Sequence, residues 1–130
     1  MQTAPDLDLT SSDNRSKLTR LVINLFDHWG LSTSDQALLL GYPAKARMTI
    51  SRYRRGGRID SNLDLIRRIG HLLGIHKSLR IIFPHDRDLA YRWVTTPNRR
   101  FDGKTPLDIM TTGYEGLLAV RRYLDFERGQ

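Results

Sequence analysis

The chain has 130 residues, 39% of them hydrophobic and 27% charged, with no cysteine and a net charge of +7. That length suits one compact domain or two small helical units sharing a core, and the lack of cysteine excludes a disulfide or a thiolate metal site. No run approaches the roughly 18 apolar residues of a membrane span, and the acidic start "MQTAPDLDLTSSDN" lacks the apolar core of a signal peptide, so a cytoplasmic protein with no membrane partner is expected.

Residues 1–14 are polar, acidic and without period, and are expected to be disordered. Ser12, Asp13 or Asn14 offers a helix cap, after which Leu18, Leu21, Val22, Leu25, Phe26 and Trp29 recur at helical spacing up to a stop at Gly30. "STSDQALLLGY" predicts a short capped helix stopped at Gly41, and "AKARMTISRYRR" a second short helix ending at Gly56-Gly57. "DSNLDLIRRIGHLLG" has cap residues at Asp60 and Ser61 and an apolar stripe of Leu63, Ile66, Ile69 and Leu73. "HKSLRIIF" is ambiguous between helix and strand, with helix favoured, and Pro84 ends it. "HDRDLAYRWV" and the closing "YEGLLAVRRYLDFER" complete an all-α reading of seven or eight mostly short helices.

The charge is unevenly spread. Residues 45–58 hold Lys45, Arg47, Arg52, Arg54, Arg55 and Arg58 with no acid, so nearly all the excess sits there. A dense, purely basic run makes nucleic acid the leading partner. Short helix, turn and arginine-loaded helix is the sequence shape of a helix-turn-helix. Ala46, Ile50 and Tyr53 share one face, suited to burial, while Ala44, Lys45, Met48, Ser51, Arg52 and Arg55 share the opposite one. Lys45, Ser51, Arg52 and Arg55 are thus candidates for base edges, and Arg47, Arg54 and Arg58 for phosphates. Ser34 and Gln36 are placed to reach the DNA backbone as well. The same run would also suit a solvated basic face or a protein partner. One helix-turn-helix reads only a half-site, so a dimer is expected.

Catalytic chemistry is not apparent. His28, His71, His76 and His85 lack metal-site pairing, and no nucleophile elbow, Walker loop or dinucleotide fingerprint occurs. No enzymatic activity, metal or cofactor is expected. The stretch "TPNRRFDGKTPLDIM" reads instead as a structured loop: Pro97 and Pro106 restrict the backbone, Asp102-Gly103 makes a turn, and Thr105 caps a helix starting at Pro106 with Asp108 in its first turn. Trp93 and Phe101 are placed to brace it against the last helix.

The order of these residues carries a resemblance. Trp93, the Pro-Asn pair and the Gly-x-Thr-Pro-Leu-Asp segment within "TPNRRFDGKTPLDIMTTGYEGLLAVRRYLDFERG" resemble the Xre/MbcA/ParS antitoxin family, and "LLGYPAKARMTISRY" resembles its first half less sharply. The resemblance covers roughly residues 20–129. It implies an Xre-like helix-turn-helix bundle over 15–60, a helical connector and core over 61–92, and a small helical toxin-binding domain over 93–130. The partners it implies are a cognate RES-domain toxin that consumes NAD⁺ and operator DNA, in a homodimer or a higher hetero-oligomer with toxin. The function it implies is a type II antitoxin that represses its own operon; the alternative is a stand-alone transcription factor whose C-terminal domain only dimerises. On the closing helix Leu117, Val120 and Leu124 share a face suited to packing, leaving Arg121, Arg122, Asp125 and Arg128 outward and Tyr123 and Phe126 as aromatic anchors. With Glu127 and Gly129 these form the expected toxin-contact set, Glu127 to Gln130 being the segment that would enter the toxin's pocket.

Overall fold

The computed structural model describes residues 11–129; the expectation of disorder for residues 1–10 lies outside them. The described residues form seven α-helices and two short 3-10 turns, with no strand. The all-α reading therefore holds, while several boundaries differ.

Helix α1 (Ser12–Trp29) begins just ahead of Asp13, whose carboxylate favours the positive helix end, so residues 12–14 are helical. Leu18, Val22, Leu25, Phe26 and Trp29 are buried as the period predicts, but Leu21 is 53% exposed. Gly30 adopts the left-handed conformation (φ 68°) that closes the helix. In α2 (Thr33–Leu39), Ser32 Oγ accepts from the Asp35 amide at 3.1 Å. Helix α3 (Arg47–Arg54) starts later than "AKAR" suggests. Pro43 opens a turn closed by the Ala46 amide on the Pro43 carbonyl at 3.0 Å, so the connection from α2 runs over residues 40–46 rather than turning tightly at Gly41.

The ambiguous "HKSLRIIF" is the last part of one long helix, α4 (Leu63–Ile82), capped by Asn62 rather than Asp60 or Ser61. Its buried positions are Leu65, Ile69, Leu72, Ile75, Ser78 and Leu79, while Leu63 is 59% exposed. Of the expected stripe Ile69 is buried and Ile66 and Leu73 pack partly buried against the core, and further positions are buried because α4 packs between α1 and α7 and buries more than one face. Phe83 (φ −119°, ψ 65°) leaves the helical region, which the following proline disfavours for it. Helix α5 (Arg87–Arg92), capped by Asp86, runs into the 3-10 turn Trp93–Thr95. After the second 3-10 turn (Arg99–Phe101) come α6 (Pro106–Met110) and α7 (Tyr114–Arg128).

One hydrophobic cluster joins these helices, from Leu18 and Phe26 through Ile50, Ile59 and Leu72 to Leu117 and Leu124. Thr19, 1% exposed, pins the segment after α3 onto α1: its hydroxyl donates to the Arg15 carbonyl (2.8 Å) and accepts from the Ile59 amide (3.0 Å). No helix is long and apolar enough to cross a membrane among the described residues.

Two glycines set the packing of α7. A Cβ on Gly74 would fall onto the Arg121 guanidinium, and one on Gly116 onto the Ile109 carbonyl oxygen. The Gly116 clash is with backbone and cannot be relieved by a rotamer change. Gly116→Ala should therefore cost about 1–3 kcal/mol of stability. By contrast Gly70, in the same α4 but with nothing near its missing Cβ, should gain up to about 1 kcal/mol as alanine. Urea unfolding of both variants checks the pair; equal effects would contradict this packing.

Candidate functional site

The basic helix docks as its spacing requires. Ile50 (1% exposed) and Tyr53 (2%) are buried, Ala46 is half-buried, and the Tyr53 and Tyr42 hydroxyls meet at 2.9 Å. Burial and that bond push the Tyr53 hydroxyl well above the usual tyrosine range. On the far side Met48, Ser51, Arg52 and Arg55 are all exposed, with Arg47 and Arg58 exposed beside them; Ala44 and Lys45, expected on that face, lie instead in the exposed connection before α3, which begins only at Arg47. Arg52 also lies over the Tyr53 ring, its Cζ 5.1 Å from the centroid.

Two expected contacts are used up inside the fold. Arg54 Nη1 donates to the Asp27 carboxylate at 2.8 and 3.1 Å, and its Nη2 to Gln36 Oε1 at 3.1 Å. Gln36 itself is 3% exposed and its amide donates to the Leu31 carbonyl, so it does not face outward. Arg54 and Gln36 join α1, α2 and α3. One cation enters the site that sequence spacing did not suggest: Arg15 of α1 lines a recess of about 460 Å³ with Arg52, Gly57 and Arg58, with Asp60 as its single acid. No local signal links residues 15 and 58; the Thr19–Ile59 hydrogen bond brings them together. A smaller recess of about 260 Å³ brings Thr33 at the start of α2 beside Arg47, Ser51 and Arg54.

The C-terminal part is built on the loop over residues 96–105. Asn98 Oδ1 accepts from the Arg100 amide (2.9 Å), and the Asn98 amide and carbonyl bond to Lys104 and Gly103 at 3.0 Å each. Asp102 (φ 56°) and Gly103 (φ 80°) make the left-handed turn. Thr105 and Asp108 form a capping box, each side chain accepting from the other's amide at 3.0 Å. Trp93, Phe101 and Tyr123 pack ring on ring: Trp93 stacks on Tyr123 at 6.2 Å, and Phe101 meets both edge-on. The brace expected of Trp93 and Phe101 is thus present, with Tyr123 as its third ring. Arg100 covers Tyr123 and reaches Glu127 at 3.6 Å. Burial, then Glu127, raises the Tyr123 hydroxyl above its usual range.

Of the expected outward set on α7, Arg122, Asp125 and Arg128 are exposed, the last two with partners on α4, while Arg121 is half-buried. Arg121 turns inward across Gly74, its Nη1 reaching the Gly70 carbonyl (3.3 Å) and His71 Nδ1 (3.4 Å). Asp125 accepts from Ser78 Oγ at 3.3 Å and pairs with Arg121, and Arg128 Nη1 reaches the same Ser78 at 3.4 Å. Helices α4 and α7 lie close enough for these side chains to span the pair, with the Arg121 guanidinium filling the space over Gly74. Arg122, Asp125, Phe126 (64% exposed), Arg128 and Gly129 are all exposed, with Glu127 half-buried.

The histidines are also more involved than a surface or cap reading suggests. Tyr91 is sandwiched between His28 (4.3 Å) and His76 (5.1 Å), and His71 Nε2 bonds the Tyr114 hydroxyl at 2.8 Å. Among the described residues no cluster of three or more His, Asp or Glu is disposed to hold a metal ion.

Residues 78–129 match the family model of the antitoxin Xre/MbcA/ParS C-terminal toxin-binding domain. The chain is also 40% identical over 105 residues to the uncharacterized protein y4oB of Sinorhizobium fredii (strain NBRC 101917 / NGR234), across 79% of this chain and 78% of that protein. Residues 78–129 thus carry a C-terminal toxin-binding domain of the Xre/MbcA/ParS antitoxin type. Its loop, aromatic brace and α7 thus form the toxin-binding domain of an antitoxin, and the matched segment opens at Ser78, within the last turns of α4.

Acid should weaken the fold. Burial holds His71 and His76 below the usual histidine pKa of about 6.5, with Arg121 adding to the effect at His71 and Arg80 at His76. The unfolded chain takes up these protons first, so stability is full above about pH 6.5 and falls as pH drops toward the lower native values. Urea unfolding at pH 7.5 and 5.5 should show this loss, reduced in the His71→Asn/His76→Phe double variant. An undiminished loss in that variant would assign the acid sensitivity to other groups.

Proposed function

We propose that this antitoxin neutralises a RES-domain, NAD⁺-consuming toxin and represses its own operon through α2 and α3, which act as a helix-turn-helix. The observation that carries the reading is the separation of two surfaces: an acid-free basic face on α3 and a family-matched toxin-binding segment ending in α7. Residues 15–60 would bind operator DNA, 61–92 connect and share the core, and 93–130 bind toxin. The RES class of the toxin rests on the Gly-x-Thr-Pro-Leu-Asp resemblance. An adjacent reading frame for a RES-type toxin would support it; without one a stand-alone transcription factor is favoured. A dimer fits a protein whose single reading helix covers a half-site, and the reading requires no catalysis and a cytoplasmic setting.

On the DNA side, Lys45, Arg47, Ser51, Arg52, Arg55 and Arg58 form the contact set, Arg54 serving instead to hold α3 in place. Base contacts contribute about 1–3 kcal/mol each, so Arg52→Ala with Arg55→Ala should lower operator affinity at least tenfold. Wild-type affinity should fall steeply with salt as counterions are released. Gel shifts on the protein's own promoter test both; unchanged binding by the double variant removes α3 from the groove.

On the toxin side, the outer surface of α7 supports Arg122, Phe126 and Gly129 as contacts, with Tyr123 and Glu127 at its edge and Arg121, Asp125 and Arg128 holding α7 to α4. Deleting residues 126–130 spares Leu117, Val120 and Leu124 in the core. The truncated chain should keep its helices by circular dichroism and still bind operator, yet lose toxin in a pull-down with the neighbouring gene's product. The Arg52/Arg55 variant should behave in the opposite way and still rescue cells. Full toxin affinity in a folded truncation would move the contact to the Asn98 to Lys104 loop.

A further inference from the structure

Met48 is 85% exposed, the most exposed large hydrophobic side chain among the described residues. It stands in the first turn of α3, where recognition helices present their base-reading side chains. At 100° per residue it points almost directly away from the docked face of Ile50 and Tyr53, and shares the outward line with Arg55. Its neighbours there are Lys45, Arg47, Ser51 and Arg52, all exposed, and residues 45–58 contain no acid. A protein partner with an apolar pocket for Met48 would have to accommodate those cations as well. A duplex major groove satisfies both demands. Its phosphates match the cations, and its one strongly apolar feature is the C5-methyl group of thymine. A thioether side chain with three rotatable bonds adapts readily to such a methyl group.

Resting on the DNA-binding reading above, the geometry points to Met48 as a specificity-determining residue that reads a thymine methyl in each operator half-site. The polar residues beside it read hydrogen-bonding edges; Met48 adds a contact that cytosine, lacking the methyl, does not offer.

The test starts from a randomised duplex library selected on the full-length protein. In the enriched site each dT is then replaced singly by dU, which removes only the methyl. Wild-type affinity should drop about fourfold at one position per half-site, the factor corresponding to about 0.8 kcal/mol for one buried methyl. With Met48→Ala, which alters an exposed side chain, that dU penalty should vanish. If no dT→dU replacement weakens the wild type, or if Met48→Ala shows the same penalty, Met48 does not read thymine although α3 still binds DNA. If the library yields no enriched sequence and no salt-dependent binding, the DNA-binding reading falls, and the assignment of Met48 with it.

Discussion

The close seating of α7 on α4, with the Arg121 side chain laid across Gly74, fixes most of what lies around it. The Arg121 guanidinium fills the space over Gly74, and Ser78 joins Asp125 and Arg128 across the same pair of helices. With α7 so placed, Tyr123 meets Trp93 and Phe101, and the loop between α5 and α6 has a wall to fold against. The opposite flank of α4 meets α1, whose Asp27 and Thr19 in turn hold α3 and the segment after it. The basic face and the toxin-binding domain are thus positioned from two sides of one helix.

The polar contacts that lock these elements are few and well placed. Arg54 is about half-exposed and its ion pair with Asp27 is of the surface kind, worth little alone. Its bond to the buried Gln36 matters more, because a buried amide oxygen without a partner costs about 1–3 kcal/mol. Thr19 serves similarly by satisfying the Ile59 amide in the interior.

Local signals were legible in the sequence, and long-range ones were not. Gly30 as a helix stop, the Thr105–Asp108 capping box, the Asp102-Gly103 turn and the buried face of α3 all depend on residues within about one or two helical turns. The toxin-binding segment was readable through its motif. The roles of Arg54, Gln36, Arg121 and Asp125 were not, because each has a partner 18 or more residues away and each also suits a solvated surface. The unity of α4 was hidden at Gly74, after which "HKSLRIIF" read as a separate, ambiguous segment. Its expected stripe was incomplete because a helix covered on two flanks has no single apolar face.

The shared α4 has a consequence for how the molecule comes apart. Leu72, Ile75 and Leu79, all fully buried, belong to the one cluster that also contains Phe26 and Ile50. A protease that stripped away α7 would uncover part of that cluster, and the remainder would lose the cover it needs to stay compact. Degradation that starts at the toxin-binding end therefore carries on through the basic half. Loss of the whole of α7, unlike trimming of its last turn, would cost the basic half its fold as well, and the two halves would leave the population on the same clock.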